Sequence, residues 1–177
     1  MESWTKAFPD PSNSPAHYTR TLTIHGHHPA TAGADTSPRI RSFYNIVHLY
    51  LNVHPFALFC GLSPVIRSLR LEYVRARTAE ILDFMCSFPL LEDLALVVCR
   101  CEAEADDWTT PSNLPRLTGS LALDGMVEGI GPIVRRLSGF QDGLHFAKIA
   151  LVWVDGRRIW SRGVLDLLNL LTCPKTP

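Results

Sequence analysis

The chain has no long hydrophobic run. Its longest apolar stretch, FALFCGLSPVI at positions 56–66, is short and holds a proline. A membrane-spanning helix needs roughly 20 apolar residues, so no such span is expected. The first residues, MESWTKAFPDPSNSP, have no apolar signal core, which argues against a secretory signal peptide. Charge of one sign is not in excess either: Lys plus Arg and Asp plus Glu are both 17. That balance gives no basis for nucleic acid or an anionic membrane as partner. The five cysteines have no regular spacing, so they read as thiols of a reducing compartment, the cytoplasm or nucleus. The chain also contains no G-x-S-x-G, no phosphate-binding glycine loop and no H-E-x-x-H, which leaves no motif-borne enzyme class to assign.

What is present is a period. IRSLRL at 66–71 has the form apolar-x-x-Leu-x-Leu, and so do IVHLYL at 46–51, LEDLAL at 91–96 and FAKIAL at 146–151. Two further copies begin with Thr: TRTLTI at 19–24 and TGSLAL at 118–123. The central Leu or Ile falls at 22, 49, 69, 94, 121 and 149, in steps of 27, 20, 25, 27 and 28. Steps of this size predict strand-plus-helix units that cannot bury their apolar faces alone and must stack on one another. With 177 residues, 46% of them hydrophobic, the stack is large enough for one domain with a real core.

The segments between the copies carry helical signals. TAEILDFMCSF sets Ile81, Leu82, Met85 and Phe88 at helical spacing, with Glu80 and Asp83 opposite and Thr78 as the expected cap. GPIVRRLSGF opens with Pro132 and closes with Gly139, SRGVLDLLNLL carries Val164, Leu165, Leu168 and Leu171 on one face, and Ser37 precedes Pro38 as another cap signal.

Strand alternation sorts the side chains. The repeated apolar positions face the interior. The residues between them face an open, concave side: Thr21, Thr23, His25, His48, Tyr50, Asn52, Ser68, Arg70, Glu72, Asp93, Ala95, Val97, Ser120, Ala122, Asp124, Lys148, Ala150 and Val152. Tyr50, Arg70, Glu72, Asp93 and Asp124 are the candidate binding residues. They combine an aromatic with both charge signs near the middle of the array. Two loops are secondary candidates, the acidic CEAEADDWTTPSN with Trp108 and the basic DGRRIWSR with Trp160, since aromatics among charges are common at binding hot spots.

Other chemistry carries less. His25, His27 and His28 in HGHH are spaced too tightly for a four-ligand zinc site, and Cys99 and Cys101 are closer than the usual Cys-x2-Cys clamp, so no metal site is expected. GIGPIVRR reads as a helix start and not as a dinucleotide fingerprint. Asp106 and Asp107 read as a solvated loop pair. Cys60 and Cys86 lie on apolar helical faces and read as core packing. No cofactor and no catalytic residue is assigned.

The stretches SPAHYTRTLTIHG, LSPVIRSLRLEYV and FPLLEDLALVVC resemble leucine-rich repeats, and their irregular steps resemble the F-box-like, leucine-rich-repeat-like proteins of mushroom-forming fungi. The resemblance runs from about Pro15 to Leu171. A regular repeat has Asn or Cys three residues after its last leucine; here those positions are His27, His54, Val74, Cys99, Met126 and Val154, and Cys99 alone fits. The resemblance implies an α/β fold: an irregular leucine-rich-repeat solenoid of about six parallel strands with helices on the convex side. It would run over 16–177 after a flexible leader at 1–15, truncated at one or both ends. It implies a non-enzymatic protein-binding module, like the substrate-recognition repeats of F-box ubiquitin-ligase receptors. The partner would be a protein substrate, with the ligase adaptor joining only if an F-box lies outside this chain. Two alternatives stand beside it: a small α/β enzyme with a non-repeating sheet, and a non-functional truncated paralogue.

Overall fold

A computed structural model of the chain describes residues 13–26, 43–52, 59–60, 62–102, 114–115, 117–124, 133 and 146–152. Six five-residue strands form one parallel sheet. They are β1 (Thr21–His25), β2 (His48–Asn52), β3 (Ser68–Glu72), β5 (Asp93–Val97), β7 (Ser120–Asp124) and β8 (Lys148–Val152), adjacent in chain order. The short strands β4 (Arg75–Arg77) and β6 (Arg100–Glu102) form a second parallel pair, and helix α1 (Thr78–Cys86) follows β4. The fold is α/β, with a parallel six-stranded sheet.

The repeated leucines set the register. Leu22, Leu49, Leu69, Leu94, Leu121 and Ile149 lie side by side across the sheet. The expected neighbours IRSLRL and LEDLAL are adjacent and parallel. Leu49, Leu51, Leu69, Leu71, Leu94 and Leu96 are all at most 1% exposed. Each such side chain contributes about 1.5–3 kcal/mol through its removal from water, so the two rows supply the main drive for stacking. The leading apolar position is buried just ahead of three strands, at Ile46, Ile66 and Leu91. It departs from the pattern before β7, where Thr118 is exposed and the adjacent Leu117 takes the buried place.

Helix α1 packs Ile81, Leu82, Phe84, Met85 and the following Phe88 into the same core, with Phe84 and Phe88 edge-to-face at 4.9 Å. One expectation is corrected at its start. Arg77, not Thr78, is the N-cap. Glu80 accepts a hydrogen bond from the Arg77 N–H at 2.8 Å, which satisfies a helix-start donor and suits the positive end of the dipole. Thr78 lies inside the first turn and is buried; its hydroxyl donates to the Glu102 carbonyl at 3.3 Å, tying the helix to β6.

The unit from β3 to β4 and the unit from β5 to β6 pair at one offset. Ser68 pairs with Asp93 and Arg75 with Arg100, both 25 positions on. Between the two strands of each unit, Tyr73 (φ 51°) and Val98 (φ 49°) adopt left-handed backbone, again 25 apart. Neither is glycine, so the corner holds a conformation that costs a non-glycine residue energy. At the start of the chain, Ser14 caps the 3-10 turn Pro15–His17 by accepting from the Ala16 N–H at 3.3 Å. Tyr44 meets His17 edge-on at 4.8 Å between ring centroids, and the Asn45 amide donates to the His17 carbonyl at 2.8 Å. Buried Ser63 donates to the carbonyls of Tyr44 and Ile46, at 2.6 and 3.1 Å.

Candidate functional site

The face of the six-stranded sheet opposite the leucine rows carries the candidate residues in three transverse rows. The first runs Thr21, His48, Ser68, Asp93, then Ser120, which bonds the Asp93 side chain, and Lys148; the second runs Thr23, Tyr50, Arg70, Ala95, Ala122, Ala150. In the third, His25 pairs with Asn52, and Glu72, Val97 and Asp124 follow one another. The alternation holds in β2, β3 and β7, where each outward residue is half-buried and each inward one buried. Val97 departs from it: placed on the open face by the alternation, it is 7% exposed, lying in register between Glu72 and Asp124.

Tyr50 and Arg70 are direct register partners on neighbouring strands. Arg70 is held by Glu72 two residues along its own strand; Nε and Nη2 both donate to the same Oε1, at 2.7 and 2.5 Å. Residues i and i+2 of a strand share a face, which is why this pair can form. With the two side chains 39% and 23% exposed, the pair adds little to stability; its effect is to fix the guanidinium on the strand next to Tyr50.

Asp93 has a different task. Elsewhere along the sheet one carbonyl takes two successive N–H groups of the next strand: Arg20 serves Val47 and His48, Val47 serves Arg67 and Ser68, and Arg67 serves Glu92 and Asp93. At the entry to β7 the Glu92 carbonyl takes the Gly119 N–H at 3.1 Å, while the Ser120 N–H goes to Asp93 Oδ1 at 2.6 Å. The Ser120 hydroxyl donates to the same oxygen at 2.7 Å. Asp93 thus replaces a backbone acceptor. Gly119 makes room for it, since a Cβ there would collide with Asp93 Oδ1 and stand 3.0 Å from its Cγ. Asp124, half-buried on β7, lies beside Val97 and Val152 in register.

Trp108 and Trp160 lie outside the described residues, as do His27, His28, Asp106, Asp107 and the helices expected at 132–139 and 161–171, except that Ile133 is helical and buried. Of the histidine cluster, His25 sits at the exposed end of β1. Among the described residues no group of three His, Cys, Asp or Glu side chains is placed to hold a metal ion.

The cysteines divide. Cys60 is exposed, which corrects its assignment to an apolar face. Cys86 is half-buried at the end of α1, its thiol pushed up to about 11 by burial and then by Asp83. Cys101 is buried and pushed up to about 12, by burial and then by Cys99. Cys99 is also raised, by burial first. Thiols held protonated in this way are poor nucleophiles at neutral pH. Cys99 instead directs its thiol at the carbonyls of Leu71 and Val97, at 3.3 and 3.4 Å, and so satisfies backbone acceptors of two successive units.

The second ladder was not anticipated from the sequence. Its signal is nonetheless there, in VRAR at 74–77 and CRCE at 99–102. Each alternates a buried small or apolar residue with an exposed charged or half-buried one: Val74, Ala76, Cys99 and Cys101 inward, Arg75, Arg77, Arg100 and Glu102 outward. Arg75 pairs with Glu102 across the ladder at 2.5 Å. Three-residue strands are too short for alternation alone to reveal.

Compared with known proteins, the chain matches no family model, no curated protein and no solved structure. Among the described residues no helix is long and apolar enough to cross a membrane.

Proposed function

We propose that this chain is a protein-interaction module, an irregular leucine-rich-repeat solenoid whose open sheet face receives a protein partner. The repeat reading is supported by the shared 25-residue offset of the two ladders, by the two left-handed corners at that offset and by Cys99. The single observation that carries the function is the contiguous surface of Tyr50, Arg70 and Glu72, partly exposed and pre-oriented by the Arg70–Glu72 pair. An aromatic on the strand next to a fixed guanidinium offers both apolar contact and charge, and the held guanidinium loses little entropy on binding. Asp124 extends the surface on β7. Asp93 borders it mainly as a structural acceptor.

In this reading the module resembles the substrate-recognition repeats of F-box receptors. It acts without cofactor or catalysis, in the cytoplasm or nucleus, and neither nucleic acid nor membrane is its partner. The ligase adaptor would be recruited only by an F-box outside this chain. The test is cross-linking capture from native lysate with wild type and with Tyr50→Ala/Arg70→Ala, after thermal melts establish that the variant folds. Loss of specific partners in the folded double variant supports the open face. An unchanged partner set excludes it and moves the search to the loops of Trp108 and Trp160.

A further inference from the structure

The outer edge of β1 is a self-complementary strand, and we propose that two copies of the chain associate through it as a symmetric antiparallel pair. β1 ends the six-stranded sheet. The Arg20 carbonyl and the Gly26 N–H are bonded to β2. In a parallel ladder both polar groups of a residue point to one side and alternate residues face opposite edges. The even-numbered residues of this stretch therefore face β2, and Thr21, Thr23 and His25 present N–H and C=O to the outer edge. Among the described residues nothing pairs with that edge.

Exposure tells the same story. In β2 the outward residues are half-buried and the leucines buried; in β1 the outward residues are exposed, and Leu22 and Ile24 are half-buried although they belong to the same two core rows. Among the described residues nothing closes the core rows at this end. Natural edge strands are usually blunted by lysine, proline or a bulge. TLTIH has no lysine or proline, and its five residues pair with β2 without interruption.

A twofold axis through Thr23 suits this strand. Thr23 then opposes its symmetry mate, Thr21 opposes His25 of the second copy, and Leu22 opposes Ile24. All three outward-pointing residues fall on hydrogen-bonded pairs, giving about six backbone hydrogen bonds across the join. Leu22 and Ile24 close over one another on the core side, extending the leucine rows into the second copy. Arg20 opposes Gly26, so no like charges face each other. Such an isologous contact stops at two copies, whereas β1 joined to β8 of a neighbour would continue indefinitely. The join is small beside a permanent interface, so it is concentration-dependent.

The test is sedimentation equilibrium of the full chain from about 5 to about 500 μM, with wild type, Thr23→Lys, Thr23→Glu and an equimolar mixture of the two variants. Position 23 points to the open face, so both variants should keep the wild-type melting transition. Wild type should show a monomer–dimer equilibrium. Each single variant should dimerise about tenfold or more weakly, because like charges meet at the axis, and the mixture should recover association. A wild type monomeric throughout, a dimer indifferent to Thr23→Lys, or association running on to open-ended polymers would each overturn the proposal.

Discussion

The two faces of the six-stranded sheet obey different rules. On the inner face the strands repeat the same choice: Leu, Leu, Leu, Leu, Leu, Ile in one row and Ile24, Leu51, Leu71, Leu96, Leu123 in the next. On the open face no row keeps one residue type across the whole sheet. Its middle row passes from Thr23, Tyr50 and Arg70 on β1 to β3 to Ala95, Ala122 and Ala150 on β5 to β8. The inner face must satisfy a packing condition that is the same at each step, so one residue type recurs. The open face has no such condition, and its side chains differ in size and charge from one half to the other. Uniformity marks the face that holds the fold, and variety marks the face free of that packing condition.

Substitutions matched across the sheet separate the two faces. Leu94→Ala, in the buried row, should destabilise by about 2–5 kcal/mol in urea or thermal melts, as large-to-small changes in close-packed cores do. A loss below about 1 kcal/mol would mean the inner face is not a packed core.

Asp93 is the position where the two rules meet, because an open-face residue serves the backbone. Asp93→Ala strips the Ser120 N–H of its acceptor and should cost about 1–2 kcal/mol, as loss of a helix-cap acceptor does. Asp124→Ala, on the same face, should stay within about 0.5 kcal/mol. Equal effects in the two melts would show that Asp93 is an ordinary surface residue. At the other end of the scale, Ala95→Ser should also stay within about 0.5 kcal/mol, since it adds a hydroxyl at a partly exposed site.

The buried thiols give a pH test of the inner side. Cys101 has its pKa raised to about 12 in the folded chain, so the native state holds a proton that the unfolded chain releases from about pH 8.5 upward. The contribution is fully present below that pH and is lost progressively toward pH 12. Stability should fall with rising pH across this window, and by less in Cys101→Ala than in wild type. Identical pH profiles would place Cys101 in water.

The periodic leucines made the strand order and register legible, because a step of 20 to 28 residues from one buried Leu to the next admits little but a stack. What escaped was held by tertiary contacts. Thr78 read as a cap, but the chain turns into α1 one residue earlier and the hydroxyl is taken by β6. Cys60 sits in an apolar run, yet is exposed. β4 and β6 are too short for periodicity to disclose, and they exist because the left-handed corners at Tyr73 and Val98 turn the chain. On the site, alternation placed Tyr50, Arg70, Glu72 and Asp124 on the open face. It could not show that Arg70 closes on Glu72, or that Asp93 is committed to Ser120, since both depend on side-chain direction.

The parallel sheet requires that residues 20 to 28 positions apart be lateral neighbours in one register. Cysteine cross-linking reads this directly. Arg70→Cys/Ala95→Cys joins register partners on adjacent strands, about 4.8 Å apart and within disulfide reach. Arg70→Cys/Ala122→Cys spans two strands, roughly 10 Å, beyond that reach. With Cys60 replaced by Ser in both, mild oxidation should cross-link the first pair rapidly and leave the second reduced. Failure of the first pair in a folded protein, or equal cross-linking of both, would contradict the stacked register.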